Sequence, residues 1–488
     1  MPDLRLLNAE PSEAERVAID AVLGASNGAS NRTARDDRTK RHLLLPALRA
    51  AQQRVGWVSE GALGYASRRL AVPPAEAYGV ASFYALIALE ERPADVTHVC
   101  TDLSCMLKGA TVPEGAHPSP CLGLCERAPA SYRTIAGARP IEEQIPTVGP
   151  PLPQAGGSGL RLLRRIAAGV DPESIDAYIQ VGGFESLRRA RELGPVAVLR
   201  EVTESRLLGR GGAAFPTGVK WEAVAKQPAL PHYIVCNADE SEPGTFKDRV
   251  LMEQDPFALI ESMAIAALAT GSSHGFIYVR AEYPLAHRRL QNAIDLARSR
   301  GLLEGFDIEL RIGAGAYVCG EETALFQSIE GFRGEPRNKP PFPVEVGLFG
   351  KPTAVNNVET LFNVLDVVTD GGATYAETGT EASTGTRLFC VSGAVARPGL
   401  YELPFGATLR SLLDLAGADP PKAVLLGGAA GAFVGPDLLD LRLTYEDTRD
   451  AGVTLGSGVV IVYDESADLV GALLRIAEFF RDESCGQC

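Results

Sequence analysis

Apolar side chains recur along this chain at two different periods, and the switches between them mark its parts. From His42 to Glu91, HLLLPALRAAQQRVGWVSEGALGYASRRLAVPPAEAYGVASFYALIALEE spaces them as amphipathic helices do, so a small helical bundle is predicted, with Pro73-Pro74 opening one helix. LRLLRRIAAG from Leu160 and FESLRRARELGPVAVLREV from Phe184 read as further helices. Between Leu207 and about Thr380 the pattern alternates. HYIVCNAD and SHGFIYVRAEYP are short apolar strands and AYVC before Gly320 is strand-like, whereas DPFALIESMAIAALAT and LAHRRLQNAIDLARSRG carry helical period. An α/β sheet follows from that alternation. From Thr386 come RLFCVSGAVARPGLYELPFGATLRSLLDLAG, AVLLGGAAGAFV and SGVVIVYD, short strands with Gly/Pro turns and one helix, which suggest a β-grasp module. DLVGALLRIAEFFRDESCGQC closes the chain as a helix running into two cysteines. Two stretches lack periodicity. Residues 1–40, containing NGASNRTARDDRTKR, are polar and predict a flexible lead-in, and RPIEEQIPTVGPPLPQAGGSG (139–159) is Pro/Gly-rich and predicts a linker.

At 488 residues the chain exceeds what one hydrophobic core organises, so two to four domains are expected. The net charge of -14, without a basic stripe interleaved with aromatics, argues against nucleic acid as a partner. A local pair such as Arg210 with Lys220 can still hold an anionic cofactor. The first twenty residues carry seven charged side chains and lead into no apolar block long enough for a signal peptide. Val80 to Leu89 and Phe257 to Thr270, the latter interrupted by Glu261, fall short of a membrane span. No direct span and a cytoplasmic location are therefore expected. Nine cysteines without a secretory signal point to thiols or metal sites, not to a disulfide frame.

Chemistry concentrates first in LLGRGGAAFPTGVKW, Leu207 to Trp221. Gly209, Gly211 and Gly212 can take positive φ and crowd backbone N–H groups onto a phosphate, with Lys220 adding a point charge. The spacing matches neither a Walker loop nor a dinucleotide fingerprint, so a phosphate cradle and a plain turn stand about equal on this stretch alone. Upstream, Cys100 and Cys105 form C-x4-C, and Cys121 and Cys125 form C-x3-C. Four thiolates in two close pairs suit a 2Fe-2S cluster, with a zinc site or free thiols as the other readings.

Taken with NADESEPGTFKDR (from Asn237), GAGAYVCGEETALFQSIEG (from Gly313), KPPFP (from Lys339) and PTAVNNVET (from Pro352), the glycine loop resembles the flavin-bearing NADH dehydrogenase subunit of respiratory complex I. It resembles equally the relatives of that subunit in NAD-linked formate dehydrogenases and NAD-reducing hydrogenases. Residues 40–130 are similar to the 2Fe-2S subunit of the same enzymes. The resemblance implies a multidomain α/β protein: flexible N-terminus (1–40), helical bundle (41–93), abbreviated thioredoxin-like 2Fe-2S region (94–138), linker (139–160), Rossmann-like FMN/NAD domain (161–380), β-grasp domain (384–465) and the beginning of a helical 4Fe-4S domain (466–488). The thioredoxin-like region must be abbreviated, because fifteen residues separate Cys105 from Cys121 where relatives usually have about twice that or more. The family's terminal motif continues with two further cysteines. Here Cys485 and Cys488 stand alone, so a truncated sequence, a lost cluster or ligands from a partner are the alternatives, truncation being preferred.

The resemblance also assigns roles. FMN is expected at Gly209, Arg210, Gly211, Gly212, Lys220, Asn237, Asp239, Glu240, Gly320, Glu321, Asn356, Asn357 and Thr360, and NAD(H) at Phe215, Glu242, Tyr317, Glu322, Lys339 and Phe342. On chemistry alone, Asp239 to Glu242 could instead be a capping cluster, and either phenylalanine could be core. Paired carboxylates at Glu321 and Glu322 accept from ribose hydroxyls and disfavour a 2′-phosphate, so NAD(H) is expected over NADP(H). Lys339 could offset pyrophosphate charge, with Phe215 and Phe342 as adenine faces. Two departures from the family are Ala214, where the loop often carries glycine, and Ala223, where an aromatic often stacks on adenine. The expected activity is NADH:acceptor oxidoreduction, with no side chain acting as catalytic acid or nucleophile. The expected setting is a larger complex whose iron-sulfur/molybdenum subunit handles formate, with hydrogenase or complex I subunits as alternatives. A non-catalytic assembly subunit with degenerate clusters is the competing class.

Overall fold

A computed structural model describes residues 9–24, 39–151 and 159–487. The lead-in expected over 1–40 is partly helical: Glu13–Leu23 begins with a capping box in which Ser12 and Glu15 satisfy each other's backbone N–H. Its buried Ile19 and Leu23 join Leu44, Leu48, Ala62 and Leu70 of the helices Leu44–Val55 and Glu60–Leu70. Two apolar residues one turn apart suffice to dock a helix whose surroundings are polar. Most of NGASNRTARDDRTKR lies outside the described residues.

The next unit is a four-stranded sheet of β1 (Asp95–Cys100), β2 (His117–Ser119), β3 (Ser131–Ile135) and β4 (Ile141–Ile145), ordered β2-β1-β3-β4, with β2 parallel to β1 and the others antiparallel. Strand β4 corrects the expected linker boundary at 139. IEEQI lacks an apolar face, yet Gln144 is buried and donates to the carbonyls of Leu122 and Glu282. The Pro/Gly signal of the linker begins only at Pro146.

Four parallel strands form the second sheet: β5 (His232–Ala238), β6 (Ser272–Val279), β7 (Asp307–Ile312) and β8 (Thr353–Asn357), ordered β7-β6-β5-β8. Helix Pro256–Thr270 is buried almost along its whole length, as its apolar circumference requires. Its one acid, Glu261, is tolerated because it accepts from the Tyr178 hydroxyl at 2.6 Å and from the amides of Phe184 (2.8 Å) and Leu187 (2.9 Å). The strand-like AYVC is instead a 3-10 turn, Tyr317–Gly320. The order of connection reverses on either side of β5, so the crevice at the carboxyl ends of β5 and β8 is where an open α/β sheet accepts a ligand.

The third sheet, ordered β10-β9-β13-β11-β12, comprises β9 (Thr386–Gly393), β10 (Gly399–Pro404), β11 (Ala423–Leu426), β12 (Ala432–Val434) and β13 (Val459–Tyr463). Strands β9 and β13 run parallel beneath the helix Leu409–Ala416, which is the β-grasp arrangement. The final helix is Leu469–Asp482. Among the described residues no helix is long and apolar enough to cross a membrane.

Candidate functional site

The glycine loop folds as a tight reversal: the Gly209 amide donates to the Phe215 carbonyl at 2.9 Å and the Thr217 amide to Leu207 at 2.9 Å. Gly212 (φ 115°) and Ala214 (φ 51°) both take the left-handed conformation, Ala214 in spite of its methyl group. Beside the loop lies a cavity of about 690 Å³. Gly209, Gly211, Lys220, Asn356, Asn357 and Thr360 all line it. Lys220 is half-buried there, the loss of solvent lowers its pKa, and it donates to the Val355 carbonyl at 2.7 Å. Arg210 is different. Its guanidinium is fully buried and donates to the carbonyls of Leu208 (3.1 Å), Thr384 (2.7 Å) and Thr386 (3.2 Å), over the Phe405 ring. It lines neither cavity, correcting the expectation that it faces an anion; its amide, which donates to Thr360 Oγ1 at 2.8 Å, fixes the loop.

A second cavity, about 740 Å³, shares Gly211, Asn237, Gly320, Glu321 and Asn357 with the first. Asn237 donates to the Gly320 carbonyl at 2.7 Å and so ties the end of β5 to the 3-10 turn. Asp239 faces this space. Burial pushes its carboxyl up to about 8, against the pull of Arg280. Glu240 serves mainly as a cap: its oxygens accept from the amides of Asp248 and Arg249, both at 2.9 Å, at the start of the helix Lys247–Gln254. Burial and Asp248 raise it to about 8. The capping reading thus holds for Glu240, while Asp239 keeps its carboxyl free of the backbone. Glu242 accepts from the Tyr317 hydroxyl at 2.6 Å and from the Ala430 amide at 3.0 Å, and burial raises its pKa.

At the outer end of the first cavity, Lys339 reaches Glu321 at 2.9 Å and Glu322 at 2.7 Å. Burial raises the Glu321 carboxyl, but Thr323 and Lys339 outweigh it and leave it below the usual value; it also caps the helix Glu322–Ile329. Phe215 and Phe342 are 50% and 53% exposed and line the same cavity, which removes the core reading for both. Ala223 is half-buried and lines neither cavity.

Sequence reasoning missed Lys247 and Asp248. Lys247 is buried in the cavity floor, where burial would lower its pKa but Asp248 (2.8 Å), Glu359 (3.1 Å) and Glu240 raise it. It also donates to Asn357 Oδ1 at 3.2 Å. The signal was weak: NADESEPGTFKDR carries Arg249 as well as Lys247, and one of the lysine's partners, Glu359, is more than a hundred residues away.

Cys100, Cys105, Cys121 and Cys125 are buried together. Cys121 Sγ and Cys125 Sγ lie 3.4 Å apart, and the Cys100 thiol has Cys105 and Cys121 as partners. The thiols form one connected series, Cys105 to Cys100 to Cys121 to Cys125, and among the described residues no three His, Cys, Asp or Glu side chains are grouped as ligands of a single ion. Four neighbouring buried thiols are the donor set a two-iron cluster takes. Two buried guanidinia join this loop to the flavin motif. Arg280 donates to the carbonyls of Cys121 (2.7 Å) and Glu240 (2.8 Å), and Arg249 donates to the Gly123 carbonyl at 2.8 Å and pairs with Glu126. Cys485 lines the 740 Å³ cavity; Cys488 lies outside the described residues.

The residues present fit a flavin nucleotide. Asn356 Nδ2 and Thr217 Oγ1 are buried in or beside the first cavity without a hydrogen-bond partner among the described residues, as donors that await an acceptor are. The N-terminus of the helix Val358–Asp370 opens next to them.

Comparison with known proteins agrees. The chain matches the Nuo51 FMN-binding domain over 202–366, the Thioredoxin-like [2Fe-2S] ferredoxin over 30–112 and the SLBB domain over 388–427. It is similar to the NADH-quinone oxidoreductase F subunit of Aquifex aeolicus (strain VF5), with 45% identity over 342 residues, covering 67% of this chain and 79% of that protein. It is also similar to the NADP-reducing hydrogenase subunit HndC of Solidesulfovibrio fructosivorans, with 44% identity covering 67% and 70%. Among solved structures, an NAD+-reducing [NiFe]-hydrogenase in the air-oxidized state superposes with a TM-score of 0.76 at 31% identity, over 94% of this chain and 83% of that one.

Proposed function

This chain belongs to the family of the NADH-quinone oxidoreductase F subunits, and from that premise we propose that it is the NADH-oxidising, FMN-bearing diaphorase subunit of a larger cytoplasmic complex. The observation that carries this is the pair of cavities sharing Gly211, Asn237, Gly320, Glu321 and Asn357, one acidic and one flanked by Phe215 and Phe342. Together they have room for a flavin and a dinucleotide side by side.

A bound FMN supplies the exchange between a hydride pair and single electrons. The chain's residues bind and orient. Asn356 Nδ2 and the helix terminus at Asn357 donate to the flavin nucleotide, and Lys220 supplies positive charge. Phe215 and Phe342 flank the adenine, and Lys339 swings from Glu321 and Glu322 toward the pyrophosphate. Those two carboxylates then accept from ribose hydroxyls and repel a 2′-phosphate, favouring NAD(H). Asp239, protonated near neutral pH, keeps the inner cavity from accumulating negative charge.

The four buried thiols hold a 2Fe-2S cluster. Cys485 and Cys488 are assigned to a 4Fe-4S cluster, supported by the position of Cys485 on the cavity wall. For the parent complex, the fused 2Fe-2S region ahead of the flavin unit favours an NAD-dependent formate dehydrogenase with a molybdenum subunit. A hydrogenase is the second reading, favoured by superposition over 94% of the chain on an NAD+-reducing hydrogenase. Molybdenum or nickel in the complex purified from its native cells decides between them. The diaphorase reading is tested by acid release of flavin and NADH-dependent ferricyanide reduction; a colourless, inactive protein overturns it.

A further inference from the structure

Two loops of the β-grasp module form one wall of the 740 Å³ cavity, through Gly427, Ala430, Thr454, Gly456 and Ser457. The loop after β11 and the loop before β13 lie so close that a Cβ on Gly456 would sit 2.1 Å from the Gly427 carbonyl oxygen, and one on Gly427 2.5 Å from that of Thr454. Only glycine fits at either position. The pair is anchored to the glycine cradle of the α/β domain. Arg387 donates to the Gly456 carbonyl and to the Tyr445 hydroxyl, both at 2.5 Å, and that hydroxyl donates to the Gly209 carbonyl at 3.0 Å. A Cβ on Gly212 would lie 3.6 Å from the Gly456 carbonyl carbon and 3.9 Å from the Ser457 amide nitrogen. On the far side, the Ala430 amide holds Glu242.

Within this wall, Ser457 Oγ is buried and has no hydrogen-bond partner among the described residues. A buried hydroxyl that has lost water and gained nothing in return is unfavourable, so such groups are rare unless a ligand completes them. This one lies against the glycine cradle, on the cavity that shares Gly211 and Asn357 with the one holding the Asn356 amide. We propose that Ser457 is a flavin-binding residue, donating its hydroxyl to an oxygen of FMN, and that the two β-grasp loops are an integral wall of the flavin site. The proposal rests on the flavin reading above.

The test uses the full chain stripped of flavin. FMN is titrated against wild type, Ser457→Ala and Asn356→Ala by quenching of flavin fluorescence, with the melting temperature of each stripped protein measured alongside. Loss of one hydrogen bond to the ligand is expected to raise the Kd of Ser457→Ala about tenfold while its stripped form melts as wild type does. An unchanged Kd overturns the proposal. So does a weaker Kd accompanied by a lower melting temperature of the stripped protein, because the hydroxyl then serves only the loop. If wild type binds no FMN the flavin reading itself fails. If wild type binds, Asn356→Ala weakens binding and Ser457→Ala does not, the role of Ser457 alone fails.

Discussion

Asn237 and Asn357 are register partners at the carboxyl ends of the adjacent parallel strands β5 and β8. One side chain ties its strand to the 3-10 turn through the Gly320 carbonyl; the other caps the helix Val358–Asp370 and bonds Asp248 and Lys247. The two line both cavities, so the geometry of the whole crevice depends on this pair. Asn357→Ala is expected to lose about 1 kcal/mol from the missing cap and to weaken FMN binding at least several-fold. Urea unfolding of the flavin-free protein and an FMN titration measure the two effects separately; unchanged FMN affinity contradicts the assignment.

The pH response follows from Asp239 and Glu240. Each is raised to about 8, from ordinary values of 3.8 and 4.5. Between those limits the folded, flavin-free protein holds protons that the unfolded chain has released, so its stability falls as pH rises through that window. Asp239→Asn is expected to flatten the slope by up to about 1.4 kcal/mol per pH unit, the weight of one proton. Urea midpoints at several pH values across the window check it, and an unchanged slope speaks against a raised Asp239.

Lys247→Met tests the cavity floor. Removing a buried ammonium leaves Asp248 and Glu359 without their counter-charge, which is expected to destabilise the protein by about 3–5 kcal/mol. A loss below about 1 kcal/mol in denaturant unfolding shows that the cation is dispensable.

Lys339→Ala bears on the nucleotide. Lys339 is half-exposed, and among the described residues its ammonium pairs with Glu321 and Glu322. Loss of its charge-assisted contact to pyrophosphate is expected to raise KM for NADH roughly tenfold, with kcat little changed. A fall in kcat at constant KM places it elsewhere in the reaction.

None of Cys100, Cys105, Cys121 and Cys125 lines either cavity, which has its own consequence. Cys121→Ser is expected to lower the iron content of the chain while NADH:ferricyanide activity persists, because the flavin-side residues stay in place. Unaltered iron content contradicts the cluster assignment.

Much of this was legible because period and motif agree. The β-strands at His232 and Ser272 and the helix Pro256–Thr270 carry unambiguous spacing, and the acidic and asparagine motifs fall at strand ends as expected. Other features depend on partners distant in sequence. Arg210 looks like an anion ligand in a glycine loop, yet the carbonyls of Thr384 and Thr386, more than a hundred residues away, take its guanidinium. AYVC has the composition of a strand, but among the described residues no strand pairs with it and it closes as a 3-10 turn with Cys319 buried. IEEQI has no apolar face to announce β4; its pairing with β3 and the burial of Gln144 hold it. The wall around Ser457 was hidden for the same reason, since it forms only when the β-grasp loops meet Gly212.

The central claim, that one crevice holds a flavin beside a nicotinamide, is tested most directly by anaerobic titration of the FMN-loaded chain with NADH, followed through its visible flavin band. The account predicts bleaching that starts with the first NADH added and is complete once two electrons per flavin, and one for each iron-sulfur cluster present, have been supplied. A flavin that binds but stays oxidised under excess NADH contradicts it.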